Sequence, residues 1–251
     1  PFKGSNSLAS PVSTPVICAY ARTPFGRFRG ALANYTAVEL GTLAVEGVLE
    51  RAGIDPHSGI IDQVYMGQVL QAGAGQAPAR QVAIAAGLPY STPCTTINKV
   101  CGSSLKAVMV AATEIMAGKS NVVIAGGMES MSQAPHFIRG AKRGDEISFA
   151  ELTGILSHDG LKDAYEGSMM GITGETIAKE ANISRSESDR YALRSHTLSD
   201  SAWENGWLAE EVVSIDELER DEGIRIDTSV EGLAGLRTVF KDDGQVTAGN
   251  A

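Results

Sequence analysis

The sequence has few cysteines, few aromatic residues and no long hydrophobic run. Its three cysteines, Cys18, Cys94 and Cys101, are an odd number without a C-x-x-C spacing, and Phe, Trp and Tyr make up 6% of the 251 residues. This cysteine pattern argues against a disulfide framework and a zinc site, so we expect a reducing compartment, the cytoplasm, and no bound metal. No stretch approaches the roughly 20 apolar residues that span a bilayer, so we expect no membrane partner.

The charge balance is acidic. The net charge is -9, with 43% hydrophobic and 20% charged residues, as in a globular chain of one large domain or two ordinary ones. A net negative charge disfavours general binding to nucleic acids, although a local basic patch can still bind an anionic ligand. Residues 1–14 are predicted to be a flexible tail or a cloning remnant.

Segments typical of strands and helices alternate in the first half of the chain. The predicted elements are a strand at 15–21, a helix at 36–53, a strand at 60–66, a helix at 76–87, a strand ending before residue 98, a helix ending near 118 and a strand at 121–125. Thr36 and Glu39 form a capping box at the start of the first helix. Such alternation predicts an α/β fold, with a mixed, mainly parallel sheet between helices.

Cys101 lies where the third predicted strand gives way to a helix. The apolar residues that follow at helical spacing are predicted to form its buried face: Leu105, Val108, Met109, Ala112, Ile115 and Met116. The N–H groups and positive dipole end of a helix start stabilise an anion, so the position favours a thiolate. Ligands of parallel sheets bind beyond the carboxyl ends of the strands. These residues alone leave open whether Cys101 is a nucleophile or a structural thiol.

The character of the chain changes after Ser130. An irregular stretch with several basic residues leads to a second capping box, Ser184 and Glu187, and a short strand is predicted at 212–215. The basic cluster is either a solvated loop or a contact for phosphates or a partner subunit. We predict two domains, at 15–132 and 133–251.

Residues 98–104, Asn-Lys-Val-Cys-Gly-Ser-Ser, resemble the acyl-enzyme cysteine motif of the thiolases, which make or cleave 3-ketoacyl-coenzyme A thioesters. Further blocks resemble the same family in the same order, at 21–26, 75–81, 126–132, 159–161, 170–173 and 246–251. The resemblance covers the chain from about Pro15 onward. It implies a thiolase-type N-terminal domain and an inserted α+β loop domain that binds coenzyme A, with the C-terminal repeat half of the family absent from the chain.

The resemblance also implies a reaction and a site. Cys101 would carry an acyl group between coenzyme A thioesters, either condensing two acetyl-CoA to acetoacetyl-CoA or running the reverse thiolysis. Acyl-CoA thioesters are then substrates, and no permanently bound cofactor is expected. The residues that would contact coenzyme A are Leu161, Met170, Arg225, Phe240 and Ala248. The family also implies a homodimer or homotetramer, with residues 130–145 as a candidate contact.

Thiolases need a histidine that activates the nucleophile and a second cysteine that transfers protons, and the family takes both from its C-terminal half. The four histidines here lie in none of the family's catalytic contexts: His57, His136, His158 and His196. Cys18 and Cys94 are expected to be core residues. We therefore interpret the chain as the N-terminal half and loop domain of a longer enzyme.

Two alternatives belong to the same resemblance. Met169 stands where many acetoacetyl-forming members carry a histidine. A longer-chain 3-ketoacyl-CoA thiolase therefore remains an alternative assignment. The other alternative is a catalytically incomplete, coenzyme A-binding fragment. An unrelated cysteine hydrolase would require a histidine paired with Cys101, and the sequence offers no candidate.

Overall fold

The structure is a computed structural model that describes residues 13–216 and 218–251. The chain divides into two compact units, the first containing residues up to 21 and 35–130, and the second containing residues 22–34 and 131–251. Residues 1–12, most of the predicted tail, lie outside the described residues. In the part of the chain that is described, no helix combines the length and the apolar character needed to cross a membrane.

A three-stranded parallel sheet forms the centre of the first unit. β1 (Gln63–Gly67) lies between β2 (Cys94–Ile97) and β3 (Val123–Gly127), and both neighbours run parallel to it. Parallel strands end at the same edge of a sheet, so the segments that follow β1, β2 and β3 meet there.

Helices cover both faces of this sheet: α1 (Ala37–Ala52), α2 (Pro78–Ala85) and α3 (Ser103–Met116). Val64 and Met66 pack in one core cluster with buried residues of α1 and α2, whereas Tyr65 packs in another with Ala107 of α3. The alternation follows from the two-residue repeat of a strand. The predicted α/β fold, with a mainly parallel sheet between helices, is confirmed.

The ends of α1 follow directly from its sequence. The Thr36 hydroxyl accepts a hydrogen bond from the Glu39 N–H (3.2 Å), and the Glu39 carboxylate accepts one from the Thr36 N–H (2.8 Å). At the other end Gly53 adopts a left-handed conformation, with φ of 63°, which ends the helix. Both predicted signals are confirmed.

The predicted buried face of α3 is wrong. Four of its large apolar residues are 43 to 66% exposed: Leu105, Val108, Met109 and Met116. The buried residues of α3 are instead small ones: Ser103, Ala107 and Ala111. Helical spacing located the helix, but the close approach of α3 to the sheet decides which side chains fit between them.

The predicted strand at 15–21 is wrong as well, because this segment forms no strand in the described part of the chain. Val16 and Ile17 are 72% and 82% exposed. An apolar run becomes a strand only when a neighbour pairs with its backbone. Cys18 is exposed, which contradicts its prediction as a core residue, whereas Cys94 packs against the larger core cluster as predicted.

The second unit contains two very short strands, β4 (His136–Phe137) and β5 (Thr153–Gly154). It also contains the helices α4 (Met170–Glu180), α5 (Arg185–Glu204) and α6 (Val230–Ala234). β4 and β5 pair antiparallel, and the predicted capping box of Ser184 and Glu187 starts α5. The strand predicted at 212–215 is reduced to isolated bridges, in which Val212 pairs with Arg22 and Ile215 with Leu218.

Candidate active site

Cys101 lies beyond the carboxyl end of β2 and immediately before Gly102, the residue that caps α3. The Cys101 side chain is exposed. The Ser103 N–H donates to the Val100 carbonyl (3.1 Å), and Gly102 has no side chain to cap the next N–H groups of α3. The structure therefore places an accessible thiol at a helix start, where sequence reasoning placed it.

The turn before Cys101 is strained and tightly held. Val100 has a φ of 48°, a conformation that costs a β-branched residue on the order of 1–3 kcal/mol. Asn98 Oδ1 accepts the Val100 N–H (2.9 Å). The buried Ser103 hydroxyl donates to the Val100 carbonyl (2.6 Å) and accepts the Lys99 N–H (2.8 Å). These bonds fix the direction in which the chain presents the sulfur.

Two glycines at strand ends let α3 begin directly against the sheet. A Cβ on Gly67, the last residue of β1, would lie 2.6 Å from the Ser103 carbonyl carbon and from the Ser104 nitrogen. A Cβ on Gly127, the last residue of β3, would lie 2.7 Å from the Ser104 Cβ. No side chain larger than hydrogen fits at either position. Sequence reasoning missed this role, although both glycines closely follow predicted strands.

Glu129 is a second feature that sequence reasoning missed at this edge. Its half-buried carboxylate accepts the N–H of Val69 (2.8 Å) and of Leu70 (3.3 Å). Burial raises the pKa of Glu129, and the two backbone donors only partly offset that rise. The signal available in the sequence was an acidic residue just after β3, within block 126–132.

Neither His57 nor Cys94 is near Cys101. His57 belongs to a short turn, Pro56–Ser58, that precedes β1, and Cys94 is the first residue of β2, so both lie at the amino edge of the sheet. The four residues of β2 alone separate the edges by about 13 Å. Burial raises the pKa of the Cys94 thiol, as expected for a core residue.

In the second unit, Leu161 and Met170 lie opposite each other. Lys162 and Met169 form an antiparallel bridge, which makes their outer neighbours, Leu161 and Met170, the next facing pair. Leu161 is 36% exposed and Met170 is 44% exposed. Two apolar side chains are therefore open to solvent at the start of α4.

Phe240 approaches the start of α4. The Phe240 ring lies against Gly171, where a Cβ would collide with it. The Val239 N–H donates to the Val246 carbonyl (3.0 Å), so Phe240 and Ala248 extend from one hairpin. The buried Glu175 of α4 accepts the Val246 N–H (2.8 Å) and fixes this hairpin to the helix.

Arg225 is placed by a different element. It is exposed, and its backbone N–H donates to His196 Nδ1 (3.2 Å). Three of the five predicted coenzyme A contacts, Leu161, Met170 and Phe240, thus lie near the start of α4. Ala248 lies on the hairpin that carries Phe240, and Arg225 belongs to a separate loop beside α5.

Two carboxylates, the buried Asp189 and the partly buried Asp221, hold family blocks of the second unit. Asp189, 1% exposed, accepts Arg185 Nε (2.8 Å) and Asn250 Nδ2 (2.8 Å), which anchors block 246–251 to α5. Asp221 accepts Arg22 Nη1 (2.7 Å) and the Phe25 N–H (2.8 Å), which anchors block 21–26. Burial alone would raise the pKa of Asp221, but the hydrogen bonds and charge of Arg22 outweigh it and lower that pKa.

Residues 13–216 and 218–251 contain no group of three or more His, Cys, Asp or Glu side chains arranged to hold a metal ion.

Comparison with known proteins agrees with this architecture. Residues 15–251 match the family model described as thiolase, N-terminal domain. The chain belongs to the thiolase family. This thiolase chain is 46% identical over 244 residues to acetyl-CoA acetyltransferase of Chromobacterium violaceum, covering 94% of this chain and 62% of that protein. It is 45% identical over 248 residues to mitochondrial acetyl-CoA acetyltransferase of Mus musculus, covering 94% and 57%.

A solved structure extends the similarity to three dimensions. The crystal structure of the Bacillus anthracis acetyl-CoA acetyltransferase superposes with a TM-score of 0.87 at 38% sequence identity, covering 94% of this chain and 61% of that one. The thiolase chain thus spans about three fifths of the length of the relatives it matches.

Proposed function

We propose that this chain is the acyl-accepting and coenzyme A-binding part of an acetyl-CoA acetyltransferase. The reaction would condense two acetyl-CoA to acetoacetyl-CoA and coenzyme A, or run the reverse thiolysis. The observation that carries the proposal is the exposed Cys101 thiol, presented by a strained turn at the uncapped start of α3. The relatives named acetyl-CoA acetyltransferase support the choice of the acetyl group.

In the first half-reaction the Cys101 thiolate attacks the carbonyl carbon of an acetyl-CoA. A bond forms between that carbon and Sγ, the bond to the coenzyme A sulfur breaks, and coenzyme A leaves as a thiolate that takes up a proton. A thioester is exchanged for a thioester, so little free energy is lost. The negative charge on the carbonyl oxygen needs N–H donors, and the backbone N–H of Cys101 at the helix start is our candidate.

In the second half-reaction another acetyl-CoA loses a proton from its methyl carbon. The resulting carbanion attacks the acetyl carbon on Cys101, a carbon–carbon bond forms, and the thiolate of Cys101 is released. The first unit contributes a single histidine, His57, and that residue lies at the opposite edge of the sheet. We therefore propose that the groups that move these protons come from outside the first unit.

Leu161, Met170, Phe240 and Ala248 would contact the pantetheine arm of coenzyme A. Exposed apolar side chains next to a helix start suit a ligand that is apolar along its arm and anionic at its phosphates. Arg225 would face the anionic end. Met170→Ala should raise the Kd for coenzyme A, whereas Leu198→Ala, also about half exposed but on α5, should leave that Kd unchanged.

The proposal includes a reducing compartment, the cytoplasm, because an exposed thiolate is easily oxidised. It also includes assembly as a homodimer or homotetramer.

The decisive experiment is acylation of the natural polypeptide that carries this sequence. The polypeptide is incubated with acetyl-CoA and digested, and the mass of each cysteine-containing peptide is measured by mass spectrometry. We expect an acetyl group on Cys101, which is lost in Cys101→Ser. Cys18 is the matched control because it is also an exposed thiol of the first unit, and Cys18→Ser should leave acetylation and turnover intact. Absence of acetyl-Cys101 in an active preparation would refute the proposal.

The same preparation separates the alternatives. Turnover of acetoacetyl-CoA at a kcat/KM well above that of 3-ketohexadecanoyl-CoA supports the acetyl assignment, and the opposite order would favour the longer-chain enzyme. Binding of coenzyme A without acylation or turnover would favour a non-catalytic fragment.

A further inference from the structure

Glu129 lies at the same edge of the sheet as the turn of Cys101 and has no part in the proposed reaction. It follows β3 by two residues and reaches across to the segment that follows β1. Oε2 accepts the Val69 N–H (2.8 Å), and Oε1 accepts the Leu70 N–H (3.3 Å). Both carboxylate oxygens thus accept backbone N–H groups, an arrangement that we call the clamp. It suits a structural role better than the role of a general base that takes a proton from a substrate.

The clamped segment is itself bonded to the turn of the nucleophile. The carbonyl of Val69 accepts a long hydrogen bond from Asn98 Nδ2 (3.4 Å). The other atom of that amide, Asn98 Oδ1, accepts the N–H of Val100 (2.9 Å). A continuous series of bonds therefore runs from Glu129, through the Val69 peptide and the Asn98 side chain, to the residue before Cys101.

This series of hydrogen bonds ends at Val100, whose backbone conformation is strained. Val100 is left-handed, with a φ of 48°, and a strained conformation persists only where the surroundings enforce it. Ser103 holds the carbonyl side of Val100, and Asn98 holds the N–H side. The bond from Asn98 Nδ2 to the carbonyl of Val69 helps to orient the Asn98 amide, and Glu129 binds the N–H groups on both sides of that residue.

We propose that Glu129 is a positioning residue for Cys101, holding the 69–70 segment so that Asn98 can keep Val100 in its strained conformation. The consequence for turnover rests on the proposed role of Cys101 as the nucleophile. The predicted change in the alkylation rate of Cys101 is independent of that role, because it depends only on the backbone conformation of the turn.

The first unit contains a matched control for this clamp. Asp62 also binds two successive backbone N–H groups, those of Asn121 (2.7 Å) and Val122 (3.1 Å). It precedes β1, so it lies at the amino edge of the sheet, away from Cys101. Asp62→Ala therefore removes the same kind of clamp from the same unit without touching the turn.

The test measures alkylation of Cys101 by iodoacetamide in the natural polypeptide, with Cys18 as the internal reference for an exposed thiol. In Glu129→Ala the alkylation rate of Cys101 divided by that of Cys18 should fall about tenfold. This factor corresponds to about 1.4 kcal/mol, near the lower end of the strain energy that Val100 would release. Glu129→Gln, which keeps one oxygen acceptor, should give an intermediate value. Asp62→Ala should leave the ratio within a factor of two of the parent protein.

Hydrogen exchange of the Val69 and Leu70 amides reports whether the clamp is lost. If those amides exchange faster in Glu129→Ala while the alkylation ratio stays at the parent value, the proposal is wrong. An equal fall of the ratio in Asp62→Ala would also overturn it, because the effect would then be general loosening. If Glu129→Ala does not fold, the same criteria apply to Glu129→Gln.

Kinetics separate this proposal from the proposed function. Positioning predicts a lower kcat with an unchanged KM for acetyl-CoA in Glu129→Gln. If Cys101→Ser keeps full turnover, the proposed function fails, whereas the alkylation ratio still decides the positioning role.

Discussion

Replacing Gly67 with alanine tests whether close approach of α3 to the sheet places Cys101. The new methyl group would lie 2.6 Å from the Ser103 carbonyl carbon and the Ser104 nitrogen, about 1 Å inside ordinary contact. These are backbone atoms, so no side-chain rotation relieves the overlap, and the first turn of α3 must move off the sheet. Overpacking of this kind typically costs 1–3 kcal/mol, and we expect about 3 kcal/mol because the obstacle is backbone.

The matched control is Gly126→Ala, one residue before the end of β3. There a Cβ would lie 3.5 Å from the flexible Met66 Sδ, so we expect a change within about 1 kcal/mol of zero. The assay is the free energy of unfolding of the first unit, from hydrogen exchange of the β1 amides at increasing urea. Equal stability of the two variants, with equal alkylation of Cys101, would show that close approach of α3 to the sheet does not determine the position of Cys101.

Three further predictions concern the second unit. Gly171→Ala places a methyl group in the ring of Phe240, so coenzyme A binding measured by calorimetry should weaken severalfold, and unchanged affinity would remove Phe240 from the site. Asp189→Ala leaves the guanidinium of a buried ion pair without its carboxylate, so urea unfolding should show a loss of about 3 kcal/mol, with a smaller loss in Asp189→Asn. The pKa of Asp221 is lowered in the folded state, so its stabilising effect is complete above the unfolded value of about 3.9 and disappears as the pH falls through the lower folded value. Asp221→Asn should therefore flatten the fall in the urea midpoint below about pH 4, and an unchanged slope would contradict the assignment.

Local signals in the sequence predicted the helices well. The capping boxes of Thr36 and Ser184 start α1 and α5 as expected, because a cap and its partner lie within one turn and need nothing from elsewhere. The position of Cys101 at a helix start was predictable for the same reason. Each of these features depends on residues three or four apart.

Features that depend on distant partners could not be predicted. The run at 15–21 has the composition of a buried strand, yet composition does not provide the neighbour that pairs with it. The large apolar residues of α3 have the right spacing for a buried face, yet Gly67 and Gly127 bring the helix so near the sheet that Ala107 and Ala111 occupy the contact. Glu129 was missed because the Val69 N–H it binds lies 60 residues earlier.

These observations divide the chemistry at Cys101 between two kinds of structure. Carrying an acyl group needs a thiol and nearby N–H donors, and under the proposed function the first unit would provide them with the exposed Cys101 thiol at the uncapped start of α3. Moving protons needs a titratable group that is free to change its protonation beside the substrate. Glu129 is engaged by backbone donors, and His57 and Cys94 lie at the far edge. Under the proposed function the first unit would therefore hold the acyl group on Cys101, and groups from outside this unit would move the protons.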